Sequence, residues 1–357
     1  MSSELGSRIK VQIFGQSHST AIGVVIDGFP SGFKPDMEKI GLFMHRRAPG
    51  SSEITTKRLE KDEVQILSGI FDGFTVGAPI CAIIENTDIR SSDYSQLRDI
   101  PRPGHSDYSA YVKYGKFHDI RGGGHFSGRL TSPLCFAGAL CLQLLEERGI
   151  AIGAHILSVA DIYDDAFDAV NVTTADLKTL SGKDLTVIND EAGLRMKERI
   201  KAAAGEGDSL GGIIECAAVN VPAGIGEPVF DGIENRLAAA VFGIPAVKGI
   251  EFGAGFGAAM LKGSENNDEF FYSDGIVKTR TNNHGGVLGG ISTGMPIIFR
   301  AAVKPTPSIS REQNSVSLSN GSDTVLSVKG RHDPCIVPRA VPCIEAVTAI
   351  VLADFLI

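Results

Sequence analysis

Three short stretches of this chain concentrate the residue types that move protons and hold anions. The first, Arg121-Gly122-Gly123-Gly124-His125-Phe126-Ser127-Gly128-Arg129, sets an imidazole, a hydroxyl and two guanidiniums among glycines. Consecutive glycines open backbone angles closed to other residues and let a ligand approach the main chain. Thr131 or Ser132 is a good N-cap and Pro133 a good first helical residue, so a helix starts there. A glycine loop feeding a helix N-terminus beside an arginine makes an anion site. Taken alone, it also reads as a flexible loop before an ordinary core helix. The second stretch, Arg102-Pro103-Gly104-His105-Ser106-Asp107, holds a histidine on a stiff turn. The third, Gly330-Arg331-His332-Asp333-Pro334, precedes a long apolar segment. A polar hinge, Gly15-Gln16-Ser17-His18-Ser19, adds another imidazole, although on its own it reads more simply as a hairpin loop with a surface histidine.

The elements that must position these groups follow from periodicity. Residues 9 to 13 alternate apolar and polar and read as a half-buried strand, with a second at 22 to 26. Met37 to Met44 reads as a short helix and Val76 to Ile84 as a strand. Glu85 to His125 reads as a long loop, and its tyrosines argue that it is packed and functional. Leu134 to Leu145 is apolar or small on every face, the pattern of a core helix, and Ala340 to Ile357 repeats it. Between them, short strands are predicted at Leu185 to Ile188, Ile213 to Val219, Val247 to Phe252 and Ile297 to Val303. Helices are predicted at Glu191 to Ala204 and Asp231 to Val241, and residues 312 to 323 read as polar and mobile. Gly253-Ala254-Gly255-Phe256-Gly257 imitates a dinucleotide-binding loop. Only Ala258 to Leu261 could continue it as helix, and no second strand ends in an acid at the required distance, so that reading carries little weight.

Composition narrows the ligand. The 357-residue chain is 43% hydrophobic, ample for a real core, and its net charge of -8 argues against a nucleic-acid partner. Between Arg90 and Arg129, however, seven Lys/Arg face four acids, 7 − 4 = +3, which suits a small anion. The six cysteines lack CxxC spacing and read as reduced, buried thiols of a cytoplasmic protein, with no metal site. No basic and apolar leader and no run of 18 apolar residues occurs, so neither secretion nor a membrane span is expected.

The stretches GQSHS…IDGFP (15–30), HRRAPG (45–50), RPGHSDY (102–108), RGGGHFSGR (121–129), NNHGGVLGGISTG (282–294), KPTPSI (304–309) and GRHDPCIVPRAVPCIEA (330–346) resemble the chorismate synthase family, in the family's order. The resemblance spans almost the whole chain and implies one domain over residues 1–357. It implies an α+β fold, a β-α-β sandwich with core helices between two antiparallel sheets, assembled as a homotetramer. It also implies reduced FMN as cofactor and the anti-1,4-elimination of phosphate and a proton from 5-enolpyruvylshikimate 3-phosphate, giving chorismate without net redox change. Electrons for the flavin would come from NADPH at the enzyme itself or from an external reductase; the sequence leaves both open.

By motif match, His18 and His105 are the catalytic histidines, protonating the flavin and the departing phosphate respectively. Ser17 and Ser127 match supporting serines, and Asp333 matches the acid that takes the flavin N5 proton. FMN contacts fall on His125, Phe126, Ser127, Ala246, Gly289, Lys304, Pro305, Thr306, Pro307, Ser308 and Arg331. A substrate with one phosphate and two carboxylates calls for several fixed arginines, matched here by Arg47, Arg129 and Arg339, with Arg46 as neighbour. The chain departs from the family pattern at Gln16 (usually Glu), Ser19 (commonly Gly), His125-Phe126 (Arg-Ser or Arg-Ala), Glu53 (an arginine) and Pro245 (Asn). Lys57 or Arg58 could compensate for Glu53. Two other classes compete: an FMN-dependent oxidoreductase with net hydride transfer, and a non-catalytic binder of a phosphorylated ligand.

Overall fold

The structure is a computed structural model and describes residues 3–50, 60, 62–87, 96–328 and 333–357. A first antiparallel sheet has the order β1-β2-β3-β7-β4, from β1 (Glu4–Leu5), β2 (Lys10–Gly15), β3 (Ala21–Asp27), β7 (Ile80–Glu85) and β4 (Val64–Ser68). A small hairpin of β5 (Ile70–Phe71) and β6 (Phe74–Thr75) precedes β7. Ile22, Val24 and Ile26 of β3 pair with Ile84, Ala82 and Ile80 of β7, and all six are buried. The period of two thus puts one apolar face inward.

The second sheet has the order β11-β16-β10-β8-β9 and is also antiparallel. Its members are β8 (Ala151–Val159), β9 (Ile162–Tyr163), β10 (Gly212–Val219), β11 (Val247–Phe252) and β16 (Ile297–Val303). Along β10, Ile214 to Val219 are buried without alternation, because both faces are covered. One face meets α8 (Val337–Leu356). On the other, Ala217 and Val219 pack with Phe167, Val172 and Leu177, the last from α4 (Thr174–Ser181).

Helix α3 (Thr131–Glu146) packs on β2, β3 and β7 of the first sheet, and α8 packs on β8 and β10 of the second. The two helices pack on each other, so they form the middle layer of the expected sandwich. They run parallel at a constant offset: Cys135 meets Cys343, Gly138 meets Ala346, and Arg148 bonds the Leu356 carbonyl, each 208 residues apart. Gly138 allows the approach, since a Cβ there would lie 2.4 Å from Ala346 Cα. α1 (Met37–Arg47) rests on both helices, and α6 (Ile233–Phe242) rests on α8. By length and composition the Gly128–Glu146 segment could cross a membrane, but it is largely buried within the protein, as the core reading of α3 requires.

Several expectations are corrected. Leu185 to Ile188 forms no strand; Thr186 lends a single carbonyl to Ile156 N–H of β8. The supposed loop from Glu85 to His125 contains α2 (Asp107–Tyr114), started by an acid in its first turn. Residues 312 to 323 are not a mobile stretch but part of a hairpin, β17 (Gln313–Ser317) and β18 (Ser322–Leu326), tied to Asp99 through Ser317 and Ser319. The predicted helix at 191–204 is α5 (Asp190–Gly205). The glycine run at 253–257 leads only into a 3-10 turn, Gly255–Met260, and the short α7 (Gly263–Asn266), so no dinucleotide-type helix follows. Other hairpins not foreseen include β12 (Phe270–Ser273) with β13 (Ile276–Thr279), and β14 (Val287–Leu288) with β15 (Ile291–Ser292). All six cysteines are free thiols, five of them buried.

Candidate active site

A cleft of about 750 Å³ opens where the N-terminal ends of α3 and α8 come together, which the parallel packing of those helices dictates. Its walls come from the glycine loop at 122–128, the turn at 102–106, the 242–248 connection and the end of β16 at 304–308.

The glycine loop runs between the two expected histidines. Gly122, Gly123 and Gly124 have φ of 59°, 85° and 56°. A Cβ on Gly122 would lie 2.4 Å from the His18 ring and 2.6 Å from Ser17 Oγ, and one on Gly123 would lie 3.3 Å from the His105 ring. The glycines are needed because side chains pass this close. His105 and Ser127 line the cleft, whereas Ser17 and His18 are buried behind the loop, with His18 Nδ1 3.2 Å from Ser17 Oγ. His125 also lines the cleft, yet its Nδ1 faces the Gly15 carbonyl at 2.8 Å and its Nε2 faces Ser3 Oγ at 2.8 Å. A carbonyl only accepts, so Nδ1 carries the hydrogen and Ser3 donates to Nε2.

The floor is cationic. Arg47 is 2% exposed and pairs with Asp62 at 2.5 Å. Arg129 reaches Asp62, Glu60, Asn86 Oδ1 and the Glu85 carbonyl. Arg339 donates to the Arg47 carbonyl at 2.9 Å and pairs with Asp333 at 2.5 Å. Burial raises the Asp62 carboxyl, but Arg47 and then Arg129 outweigh it and hold it below the usual range. Burial lowers Arg129, and neither Asp62 nor Glu60 fully offsets it; Arg339 is lowered likewise despite Asp333. Among the described residues, three guanidiniums (Arg47, Arg129, Arg339) thus face three carboxylates (Asp62, Glu60, Asp333), and burial rather than surplus charge is the first cause of the lowered Arg129 and Arg339 values.

Above it, Arg102 grips Asp107 through Nε at 2.7 Å and Nη2 at 2.8 Å, and donates to Ser308 Oγ at 3.1 Å. Asp107 Oδ1 lies 2.6 Å from His105 Nδ1. Burial pushes the His105 imidazole below its ordinary pKa, opposed by the bond to Asp107 and reinforced by Arg102 and Lys304. Lys304 Nζ bonds the Gly104 carbonyl, and Ala246, in the left-handed region at φ 75°, accepts from Lys304 N. Phe126, Thr306 and Pro307 complete this wall. Thr306 Oγ1 is buried and has no hydrogen-bond partner among the described residues.

The cleft thus gathers His105, Ser127, Asp333, Arg47, Arg129 and Arg339 with His125, Phe126, Ala246, Lys304, Thr306, Pro307 and Ser308. Besides Ser17 and His18, three expected residues do not line it. Arg46 turns to Glu345 of α8 in a bidentate pair (2.6 and 2.9 Å) and lines a separate cavity of about 360 Å³. Gly289 sits at the tip of the β14–β15 hairpin, and Pro305 packs near Gly211. Arg331, with Glu53, Lys57 and Arg58, lies outside the described residues. The sequence reading missed Glu60, Asp62 and Asn86 as partners of the arginines, and it quoted Arg102 and Asp107 without a role. Only the last two carried a signal, by flanking His105 on one turn.

A family model described as chorismate synthase matches residues 9–357. A chorismate synthase of Korarchaeum cryptofilum is 47% identical, over 98% of this chain and 96% of its own length. One from Pyrococcus abyssi is 48% identical, over 99% and 97%. A crystal structure of a chorismate synthase superposes with a TM-score of 0.77 at 30% identity, covering 98% of this chain and 92% of that one. The chain belongs to the chorismate synthase family.

Proposed function

We propose that the cleft eliminates phosphate and a proton from 5-enolpyruvylshikimate 3-phosphate to form chorismate, the reaction of the family. The observation that supports the assignment to this place is the lining of the cleft, where the described residues include six cations, Arg47, Arg102, Arg129, Lys248, Lys304 and Arg339, against one carboxylate, Asp333. An anion with a phosphate and two carboxylates suits such a lining, and charge-assisted bonds to fixed guanidiniums are strong and directional. Arg47, paired through Nη1 with Asp62, also steadies the cleft floor by accepting from Arg339 on its carbonyl. His105 stands on the wall with an imidazole suited to giving a proton to the departing phosphate. Asp333 lines the cleft beside Arg339, which supports its role as the carboxylate that takes a proton.

The residues present fit FMN. The orphaned, buried Thr306 Oγ1 offers a donor and acceptor to a ligand, and Ser308, Lys304 and Ser127 add polar groups beside it. Phe126, Ala246 and Pro307 offer apolar surface to a flat ring. His125 has both nitrogens bound to the protein, so it would present its ring rather than a hydrogen bond. Bound in reduced form, FMN would supply an electron transiently and recover it. Ser17 and His18, behind the glycine loop, would hold a proton close to that site.

An anaerobic assay with dithionite-reduced FMN and the phosphorylated substrate tests the reading. Many chorismate molecules per flavin are expected. A reduced product formed one for one with oxidised flavin would make the protein an oxidoreductase, and tight substrate binding with no product would make it a binder. Strongly exposed Phe230, Phe256 and Met260 support burial in a homotetramer, to be checked by sedimentation.

A further inference from the structure

We infer that Asp107 is a positioning residue for the reaction: it fixes His105 with a hydrogen on Nδ1, leaving Nε2 as the atom that gains and loses the proton at the cleft. The inference rests on the assignment of His105 to phosphate departure and adds the residue that would control it.

The geometry decides the tautomer. A carboxylate can only accept, so an unprotonated Nδ1 at 2.6 Å from Asp107 Oδ1 would set two lone pairs against each other. Nδ1 therefore carries the hydrogen and donates to Asp107. Arg102 Nη2 lies 3.1 Å from the same nitrogen, and Ser106 Oγ lies 3.4 Å away. Neither can donate to Nδ1 while it bears that hydrogen; Arg102 Nη2 donates instead to Asp107 Oδ1 at 2.8 Å. The carboxylate itself cannot swing away. Arg102 holds it through Nε and Nη2, and the Arg102 main-chain N–H donates to it at 3.0 Å.

The other edge of the ring is kept open by a glycine. A Cβ on Gly123 would come within 3.3 Å of both Cε1 and Nε2, so the loop passes this edge with backbone alone. The charged groups facing His105 are Arg102 and Asp107 from its own turn and Lys304 from the end of β16; the glycine loop brings Gly123, which has no charge. Two of the three are cations that disfavour the imidazolium. Asp107 is the single group among them that favours it, so its carboxylate also sets how much of the proton-donating form exists near neutral pH.

The test uses magic-angle-spinning 15N spectra of the full-length enzyme labelled only at its 8 histidines, with His105 assigned by loss of its signals in His105→Gln. In the unaltered enzyme, neutral His105 is expected with its hydrogen on Nδ1; a hydrogen on Nε2 overturns the inference without any variant having to fold. In Asp107→Asn, whose amide can accept or donate, a mixture of tautomers is expected. The alkaline limb of the kcat–pH profile should move down by about one unit, with kcat roughly tenfold lower at the former optimum and KM little changed. Asp107→Glu, which keeps the carboxylate, should restore the tautomer and part of kcat. An unchanged tautomer in Asp107→Asn refutes the positioning role whatever the activity does. A changed tautomer with an unmoved kcat profile refutes its bearing on catalysis; if His105→Ala then also turns over normally, the fault lies in the His105 assignment itself.

Discussion

His105 and Asp333 reach the same cleft from different loops, and each has a charged partner that sharpens what its removal should do. His105→Ala is expected to cut turnover roughly 10²–10⁴-fold, the usual contribution of general acid–base help, with FMN affinity nearly intact. Near-normal turnover would mark the histidine as structural. Asp333→Asn keeps the shape but cannot take a proton, so kcat should fall at least about tenfold, about 1.4 kcal/mol of barrier. Because Asp333 pairs with buried Arg339, the loss of its charge should not weaken binding of an anionic substrate. A raised KM with unchanged kcat would instead assign Asp333 to holding Arg339. Sequence fragments exposed these groups by type, but not their partners. Asp333, for one, pairs with Arg339 of α8. Arg46 and Arg47 are adjacent in sequence, and consecutive helical residues face different ways, so only the packing of α1 shows that Arg47 serves the cleft and Arg46 serves Glu345.

The elements best read in the sequence were those whose burial leaves an unbroken local pattern. α3 and α8 are apolar all round because each lies inside the sandwich, and β3, β10 and β16 carry their burial in runs of Ile, Val and Ala. The hairpins β12–β13 and β17–β18 escaped notice because they are short, mostly exposed and defined by pairing rather than by pattern. α4 is short too, although its Thr173…Asp176 capping box was readable. The closest helix contact was not legible at all, since Gly138 is one small residue among many in α3. Gly138→Ala would place a Cβ 2.3 Å from Ala346 Cβ and force the helices apart. A loss of about 1–3 kcal/mol is expected in chemical denaturation. Combined with Ala346→Gly, the double variant should be less destabilised than the sum of the two singles. Unchanged stability in Gly138→Ala would show that the helices do not meet there, since Ala346 Cα alone would lie 2.4 Å from the added Cβ.

At the scale of the molecule, the layered class could be anticipated but the strand order could not, because β16 enters between β10 and β11 from far along the chain. That order creates a row of charge across the second sheet, with His155, Glu215, Arg300 and Glu251 on four neighbouring strands in register. His155 is fully buried, its Nδ1 3.1 Å from Asp164 and its Nε2 3.1 Å from Glu215. Asp164 in turn accepts from Ile188 and Asn189 N–H, and Glu215 from Phe167 N–H and Arg300, so the pair anchors the whole 160–190 excursion. Both ring nitrogens face carboxylates, which only an imidazolium can satisfy. Burial alone would lower the His155 pKa, but Asp164 and Glu215 outweigh it and raise the value above 6.5. A folded-state pKa above the unfolded one gives stability that is full below about pH 6.5 and fades as pH rises through the folded value. Asp164 and Glu215 are themselves lowered, despite burial, with His155 the leading opposing cause; their share is present above the unfolded carboxylate range and fades as pH falls through their folded values. The row should therefore contribute most between about pH 4.5 and 6.5. Calorimetry from pH 5 to 9 is expected to show Tm falling on the alkaline side, roughly in step with loss of the His155 proton. His155→Leu leaves buried Asp164 without its cation and Glu215 with Arg300 alone, so at pH 6 it should cost about 3–5 kcal/mol and flatten the alkaline slope. An equal slope in variant and unaltered protein would place the pH dependence elsewhere and leave this row a neutral, hydrogen-bonded seam.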